Sequence, residues 1–143
     1  MINNLSIQIV TYEENLSSIQ SIRKKVFQEE QKISPELEFD GKDSNCKHLL
    51  AFLKNKPVGT TRIRFITNKT AKIERLAVLS SVRGKGIGSQ LMQTALQLIQ
   101  NQYQFDDIII HAQLSVAEWY KKFGFQAIVI PDKGGVKVSD YNN

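Results

Sequence analysis

The stretch from residue 76 to residue 89, LAVLSSVRGKGIGS, constrains the fold of this chain more than any other. An apolar strand pattern precedes its glycines, and a run with apolar residues at helical spacing follows them. Gly84, Gly86 and Gly88 let the backbone turn sharply and approach a ligand, because no Cβ obstructs either movement. A helix that begins at such a turn directs unpaired N–H groups and a positive dipole end at the loop. The stretch therefore predicts a strand, a phosphate-binding turn and a helix.

Three phosphate-binding motifs compete for this turn. A P-loop needs Ser or Thr directly after Lys85, and a glycine stands there instead. A dinucleotide-binding fingerprint needs a glycine where Ser89 stands and an acidic residue at the end of the next strand, whereas Asp106 precedes that strand. The pattern Arg/Gln-x-x-Gly-x-Gly/Ala is matched by Arg83 and two of the glycines. These six residues alone also allow a glycine-rich helix start that binds nothing.

Composition narrows the classes of protein that this chain can represent. Its 143 residues, 41% of them hydrophobic, suit one domain over 1–143 with a proper core. The net charge of +5 invites nucleic-acid binding, but the cations are scattered in short groups without a recognition motif, so no nucleic-acid partner is predicted. The single cysteine, Cys46, excludes an internal disulfide, and no apolar run reaches membrane-spanning length. We therefore expect a cytoplasmic protein without a membrane partner.

The remaining periodicities predict the other elements. Alternating apolar residues predict a strand over 5–12, and helical spacing predicts a helix from Asn15 to near Gln31. The later predicted elements are strands over 48–53, 58–67 and 70–79, the long helix from Ile87, a strand over 108–110, a helix over 115–122 and a strand over 125–130. The tail from 136 to 143 adds an edge strand or frays. The order β-α-β-β-β-α-β-α-β predicts a mixed α/β domain.

The segment from 32 to 47 is rich in acids and is predicted to be too polar for the core. We interpret it as a solvated loop. The alternative is a wall that faces a substrate, because loops often carry recognition.

The Arg83 motif resembles the pyrophosphate-binding motif of the GCN5-related N-acetyltransferases (GNAT), whose loop holds acetyl-coenzyme A. The predicted element order resembles the fold of that family along nearly the whole chain. Residues 117–125, AEWYKKFGF, are similar to the family segment that ends in [FW]-Y-x-x-x-G-F. Further stretches resemble the branch of the bacterial ElaA/YjcF-type acetyltransferases: VFQEEQ at 26–31, Asp40-Gly41-x-Asp43, His48-Leu49-Leu50 and His111-Ala112-Gln113.

The resemblance implies direct transfer of acetyl from acetyl-CoA to a primary amine, without a metal or a covalent enzyme intermediate. It implies that Tyr120 protonates the departing thiolate and that a backbone N–H at or near Val78 binds the oxyanion. The coenzyme residues implied by the match are Leu76, Ala77, Val78, Arg83, Gly84, Lys85, Gly86, Ile87, Gly88 and Ser89.

The base and the acceptor residues are predicted less directly. Glu74 is placed on the same strand face as Leu76 and Val78, where a water-relayed base is expected; the alternative is an exposed carboxylate paired with Lys72. The unperturbed histidine pKa of about 6.5 suits proton relay by His111; the alternative is a structural histidine. The predicted substrate residues are Glu29, Glu30, Asp40 and His111. These acids suggest a cationic acceptor: a polyamine, an aminoglycoside-like compound or a lysine-bearing peptide.

Two departures from the family pattern keep a second function open. Leu114 stands where many members have an asparagine, and Lys137 stands where a C-terminal histidine completes the acceptor site. The alternative is a non-catalytic acetyl-CoA sensor that has lost its acceptor site. The sequence is compatible with a homodimer and does not identify the acceptor.

Overall fold

A computed structural model describes residues 4–102, 107–112, 117–130 and 135–139. Seven strands form one sheet in the order β1-β2-β3-β4-β5-β7-β6. The strands are β1 Leu5–Val10, β2 Lys47–Leu53, β3 Lys56–Phe65, β4 Thr70–Val78, β5 Asp107–Ala112, β6 Gln126–Ile130 and β7 Gly135–Ser139. The α-helices are α1 Leu16–Arg23, α2 Pro35–Glu38, α3 Ile87–Gln102 and α4 Ala117–Lys121. The predicted α/β class is confirmed.

Two of the predicted elements differ in detail. The helix expected from Asn15 to Gln31 is α1 followed by a π-helix at Lys24–Glu30. The tail does form a strand, but β7 lies between β5 and β6, so its prediction as an edge strand is wrong. The first residues of the helix predicted over 115–122 lie outside the described residues, and α4 begins at Ala117. No described helix is long and apolar enough to cross a membrane.

The C-terminal halves of β4 and β5 separate from each other. The two strands pair in parallel only where Thr70–Lys72 lies beside Asp107–Ile109. From Ile110 onward, β5 pairs with β7 instead. Among the described strands, none pairs with this edge of β4 between its middle and Val78, and an opening forms there.

A β-bulge reverses the orientation of side chains within β4. Arg62 of β3 pairs with Glu74 and Thr60 pairs with Ala77, so one residue of β3 lies opposite two of β4. Arg75 takes the left-handed backbone conformation at the bulge, with φ 55°. Ile73 packs in the core beneath α3 before the bulge, and Leu76 packs against that same core after it. Ala77 faces the other side of the sheet, against α1.

The two faces of the sheet are covered by different helices. On one face, α3 buries Leu91 and Ala95 completely against β2, β3 and β4. On the other face, α1 and the π-helix bury Ile19, Ile22 and Val26 against Leu50 of β2. The cores on both faces hold β4 firmly at the centre of the molecule.

The acidic segment after the π-helix is partly buried, so its prediction as a solvated loop too polar for the core is wrong. Glu38 is 2% exposed and Asp43 is 5% exposed. Both carboxylates accept hydrogen bonds from the buried guanidinium of Arg23. Sequence periodicity misses this burial because it depends on an arginine 15 to 20 residues away.

Candidate functional site

The glycine loop has the conformation that its sequence predicts. Gly84 and Gly86 have φ values of 80° and 84°, which L side chains adopt only with strain. The N–H of Gln90 donates to the carbonyl oxygen of Gly86 at 3.1 Å, which starts the hydrogen-bond ladder of α3. The N–H groups before Gln90 in this first turn have no partner within the helix. The loop and helix start thus offer several donors and a positive dipole end to an anion.

A cleft of about 710 Å³ runs along this loop. Its walls come from the end of β4, the glycine loop, the start of α3, the π-helix and α4. From the predicted coenzyme residues it is lined by Leu76, Val78, Arg83, Gly84, Gly86, Ile87, Gly88 and Ser89. The side chain of Ala77 packs beneath α1, and Lys85 is exposed outside the lining. The structure therefore brings most of the predicted set to one cavity.

Tyr120 reaches the cleft from α4. Burial raises the pKa of its phenol, so the hydroxyl keeps its proton near neutral pH. Trp119 packs edge-on against Tyr120, with ring centroids 4.9 Å apart, and similarly against Phe123 at 5.0 Å. Trp119, Tyr120 and Phe123 all pack against the core beneath α3, which holds the short helix α4 at the cleft.

Lys122, which the sequence reasoning did not single out, also lines the cleft. Its Nζ donates to Ser89 Oγ at 3.2 Å and lies 4.9 Å from the centroid of the Trp119 ring. A cation beside a helix N-terminus adds to its attraction for a phosphate. The sequence could have indicated Lys122 by its position two residues after Tyr120, within the segment 117–125 that resembles the family.

Arg83 is held on the side of the loop by three hydrogen bonds. Its Nε donates to the Val78 carbonyl oxygen at 2.9 Å. Its two terminal nitrogens donate to the two carboxylate oxygens of Glu30 at 2.8 and 2.7 Å. Glu30, a predicted substrate residue, is exposed like its neighbour Glu29, but its carboxylate is bound to Arg83 at the loop.

Glu74 lies on the opposite face of β4 from Leu76 and Val78, because the bulge separates them; its prediction on the same face is wrong. It is buried, and its carboxylate pairs with Arg62, with Arg64 at 2.7 Å and with Lys72 at 3.1 Å.

Burial alone would raise the pKa of Glu74, but hydrogen bonds from Arg64 and Arg62 lower it to about 2. A carboxylate with so low a pKa accepts a proton poorly near neutrality. The predicted pairing with Lys72 is present, although the group is buried rather than exposed.

The acids predicted to meet a cationic acceptor are largely occupied by the protein itself. Asp40 accepts two hydrogen bonds of 2.9 Å from the fork of Arg62, which hold the pKa of that carboxyl well below its usual range. Asp43 accepts hydrogen bonds from Arg23 at 2.6 Å and from Arg62 at 3.0 Å. Arg75 donates to the backbone carbonyls of residues 37 and 38 and so ties the same segment to β4.

The two histidines have different positions. His48 is buried, its Nε2 lies 2.9 Å from the Asp43 carbonyl oxygen, and its ring stacks on Tyr12, so it is structural. His111 lies on β5 beside Lys137 of β7, and its side chain is outside the described part of the structure.

Comparison with known proteins identifies the same family that the sequence motifs resemble. The sequence profile of the acetyltransferase (GNAT) family matches residues 14–125. A candidate acetyltransferase of Bacillus subtilis is 38% identical over 125 residues, which cover 85% of this chain and 84% of that protein. The uncharacterised N-acetyltransferase YjcF of Bacillus subtilis is 32% identical over 120 residues, which cover 84% of each chain.

Solved structures share the fold over nearly the full chain. Escherichia coli ElaA superposes with a TM-score of 0.79 at 22% identity, covering 94% of this chain and 98% of that one. The PaiA N-acetyltransferase of Thermoplasma acidophilum, solved in complex with coenzyme A, superposes with a TM-score of 0.77 at 16% identity, covering 96% and 99%.

Proposed function

Since the chain belongs to the acetyltransferase (GNAT) family, we propose that it transfers acetyl from acetyl-CoA to a primary amine, with Tyr120 as general acid. One observation carries the proposal: the glycine loop, the start of α3 and the protonated phenol of Tyr120 face the same cleft. A phosphate-binding turn and a proton donor are the two parts that such a transfer needs at opposite ends of the coenzyme's reactive arm.

In this proposal the pyrophosphate of the coenzyme lies at the first turn of α3. The positive φ of Gly84 and Gly86 and the unpaired N–H groups of that turn support this position. Lys122, whose Nζ donates to Ser89 Oγ, supplies a positive charge beside this turn. The same fold in PaiA holds coenzyme A, which supports the choice of ligand.

The thioester lies beside the unpaired edge of β4. The Leu79 N–H donates to Val58 of β3, while the Val78 carbonyl accepts from Arg83 instead of a strand. Because consecutive residues of a strand direct their N–H groups to opposite sides, the Val78 N–H points into the opening beside β5. There it donates to the oxyanion that forms when the amine attacks the thioester carbonyl.

The reaction balances without a covalent enzyme intermediate. A primary ammonium with a pKa of about 10.4 first loses a proton, since only the neutral amine attacks. Attack forms the C–N bond and the oxyanion. Collapse of this intermediate breaks the C–S bond, and the departing thiolate takes the phenolic proton of Tyr120. The attacking nitrogen then loses its extra proton, which restores the phenol and leaves the neutral amide. Glu74 is not part of this mechanism, because its carboxylate is paired on the far face of β4.

The acceptor is proposed only as an amine, on a small molecule or on a lysine-bearing peptide. Asp40 and Glu30 no longer support a cationic acceptor, because arginines already pair with their carboxylates. Glu29 and His111 remain proposed acceptor-side residues. The free thiol of Cys46 supports the proposed cytoplasmic location.

The test compares wild type, Tyr120→Phe and, as a matched control, Tyr12→Phe, whose hydroxyl accepts a hydrogen bond from Gln20 away from the cleft. Release of coenzyme A is measured with a panel of amines, and acetyl-CoA affinity is measured by calorimetry. Tyr120→Phe is expected to lower kcat by about a hundredfold with Kd unchanged, a typical general-acid effect. Equal turnover in Tyr120→Phe and wild type removes Tyr120 from the mechanism.

Lys137, at the position where the resemblance leads us to expect a histidine, favours the second candidate, an acetyl-CoA sensor. That function predicts calorimetric binding of acetyl-CoA by the wild type together with no coenzyme A release for any amine of the panel. Release above the uncatalysed rate with one amine rules it out.

A further inference from the structure

We infer that Glu30 is a positioning residue for the coenzyme site, and that Arg83 acts from behind the glycine loop instead of binding the coenzyme phosphates with its side chain. The inference rests on the proposed function. It assigns Glu30 a role different from the acceptor contact that the sequence predicts.

The first support is the occupancy of the Arg83 guanidinium. Each of its three nitrogens has a protein acceptor: Val78 for Nε, and Glu30 for both terminal nitrogens. The Glu30 pair is bidentate, which fixes the plane of the guanidinium as well as its distance. A guanidinium held in this way has few free donors for a phosphate.

The second support is that the bridge connects two elements that form walls of the cleft. Glu30 is the last residue of the π-helix, whose Val26 forms one wall of the cleft together with Gln31. Arg83 begins the glycine loop that forms another wall. The bridge therefore joins two walls that are 53 residues apart in sequence.

The third support is electrostatic. A carboxylate beside a phosphate site repels the ligand unless a cation neutralises it, and Arg83 does so here at 2.7 Å. With Arg83 and Glu30 cancelling each other, the attraction for the coenzyme comes from the N–H groups at the helix start and from Lys122 beside them. The Arg83 bond to the Val78 carbonyl also fixes the end of β4, beside the proposed oxyanion donor.

Calorimetric titration with acetyl-CoA tests the inference on wild type, Glu30→Gln, Arg83→Gln and the double variant. Each single change is expected to weaken binding by roughly threefold to fivefold, the upper range for an exposed ion pair with good geometry. The double variant is expected to bind no worse than either single variant, because the two residues act as one unit. Glu29→Gln, which removes the same charge from the neighbouring exposed position, is expected to leave Kd within about twofold.

Kinetics separate this role from an acceptor contact. Glu30→Gln is expected to raise the KM for acetyl-CoA and leave kcat and the acceptor KM unchanged, and Glu30→Asp is expected to recover part of the loss. The unfolding midpoint of each apo variant is compared with wild type, so that a general loss of structure is recognised separately.

Three results would contradict the role of Glu30, the role of Arg83 and the proposed function, each independently of the others. Unchanged or tighter binding by Glu30→Gln means that Glu30 does not position the site or that it competes with the phosphates. Additive losses in the double variant mean that Arg83 contacts the coenzyme directly. Absence of acetyl-CoA binding by folded wild type removes the proposed function itself, whereas binding by wild type with a flat Glu30→Gln response removes this inference alone.

Discussion

The two halves of β4, before and after the bulge, have opposite surroundings. Before the bulge, Glu74 is buried and saturated by cations on the α1 face. After the bulge, Leu76 and Val78 line an open cleft where this edge of β4 pairs with none of the described strands. One residue in a left-handed conformation, Arg75, separates the two regions. One strand therefore combines a buried ion-pair network on one face with an edge that opens onto a cleft.

Arg62→Met disrupts the buried ion-pair network around Glu74 and is expected to give the largest loss of stability. The change leaves Asp40, Asp43 and Glu74 without their shared guanidinium, and loss of one partner of a buried ion pair costs about 3–5 kcal/mol of unfolding free energy. Urea unfolding measures the loss. Arg64→Met is the control, because the Arg64 side chain is 23% exposed and its ion pair is with Glu74, so its loss is expected to be smaller. Equal losses in both variants contradict the central place of Arg62.

The network is also expected to make stability depend on acid pH. The pKa of Glu74 is about 2 in the folded protein, below its ordinary value of 4.5. The folded state therefore binds fewer protons than the unfolded state, so this stabilisation is complete above about pH 4.5 and is lost as pH falls toward 2. Thermal unfolding from pH 6 to pH 2 measures the decline. Glu74→Gln is expected to be less stable at pH 6 and to show a shallower decline; an equally steep decline assigns the effect to other carboxyl groups.

Gly86→Val tests the glycine loop, which lines the cleft beside the second half of β4. Its φ of 84° strains any L side chain, and a branched side chain in the loop obstructs the approach of a phosphate. Acetyl-CoA binding is expected to weaken more than about tenfold, or 1.4 kcal/mol. Gly41→Val is a matched control, since Gly41 has a φ of 76° and, like Gly86, has no described atom within 4 Å of the place where a Cβ would lie. Similar losses of affinity in both variants mean that strain, and not the loop's contact with the ligand, is responsible.

The local parts of the fold and site could be predicted from the sequence. The loop conformation follows from Gly84 and Gly86, the long helix from its apolar spacing, and Tyr120 from its place in a nine-residue segment. Each of these features is determined within a few residues of chain. They account for most of the cleft.

Features that depend on distant residues could not be predicted. The bulge at Arg75 shifts the face of every later residue of β4, so the alternation that placed Glu74 beside Leu76 fails there. The burial of Glu38 depends on Arg23, 15 residues earlier, and the Glu30–Arg83 bridge spans 53 residues. Charge counting placed these acids at an acceptor because it cannot detect which arginines already neutralise them.

The position of β7 inside the sheet gives the chain an order of assembly. β6 precedes β7 in sequence, yet its described strand partner is β7 alone, which in turn pairs with β5. β6 therefore has no place in the sheet until β7 has joined, while β1 to β4 and α3 form their contacts among themselves. Because α4 packs on β6 and β7, the wall that carries Tyr120 is completed last. A nascent or partly unfolded chain would thus have the glycine loop before it has the wall with Tyr120, with the edge of β5 exposed to pairing with other chains in the meantime.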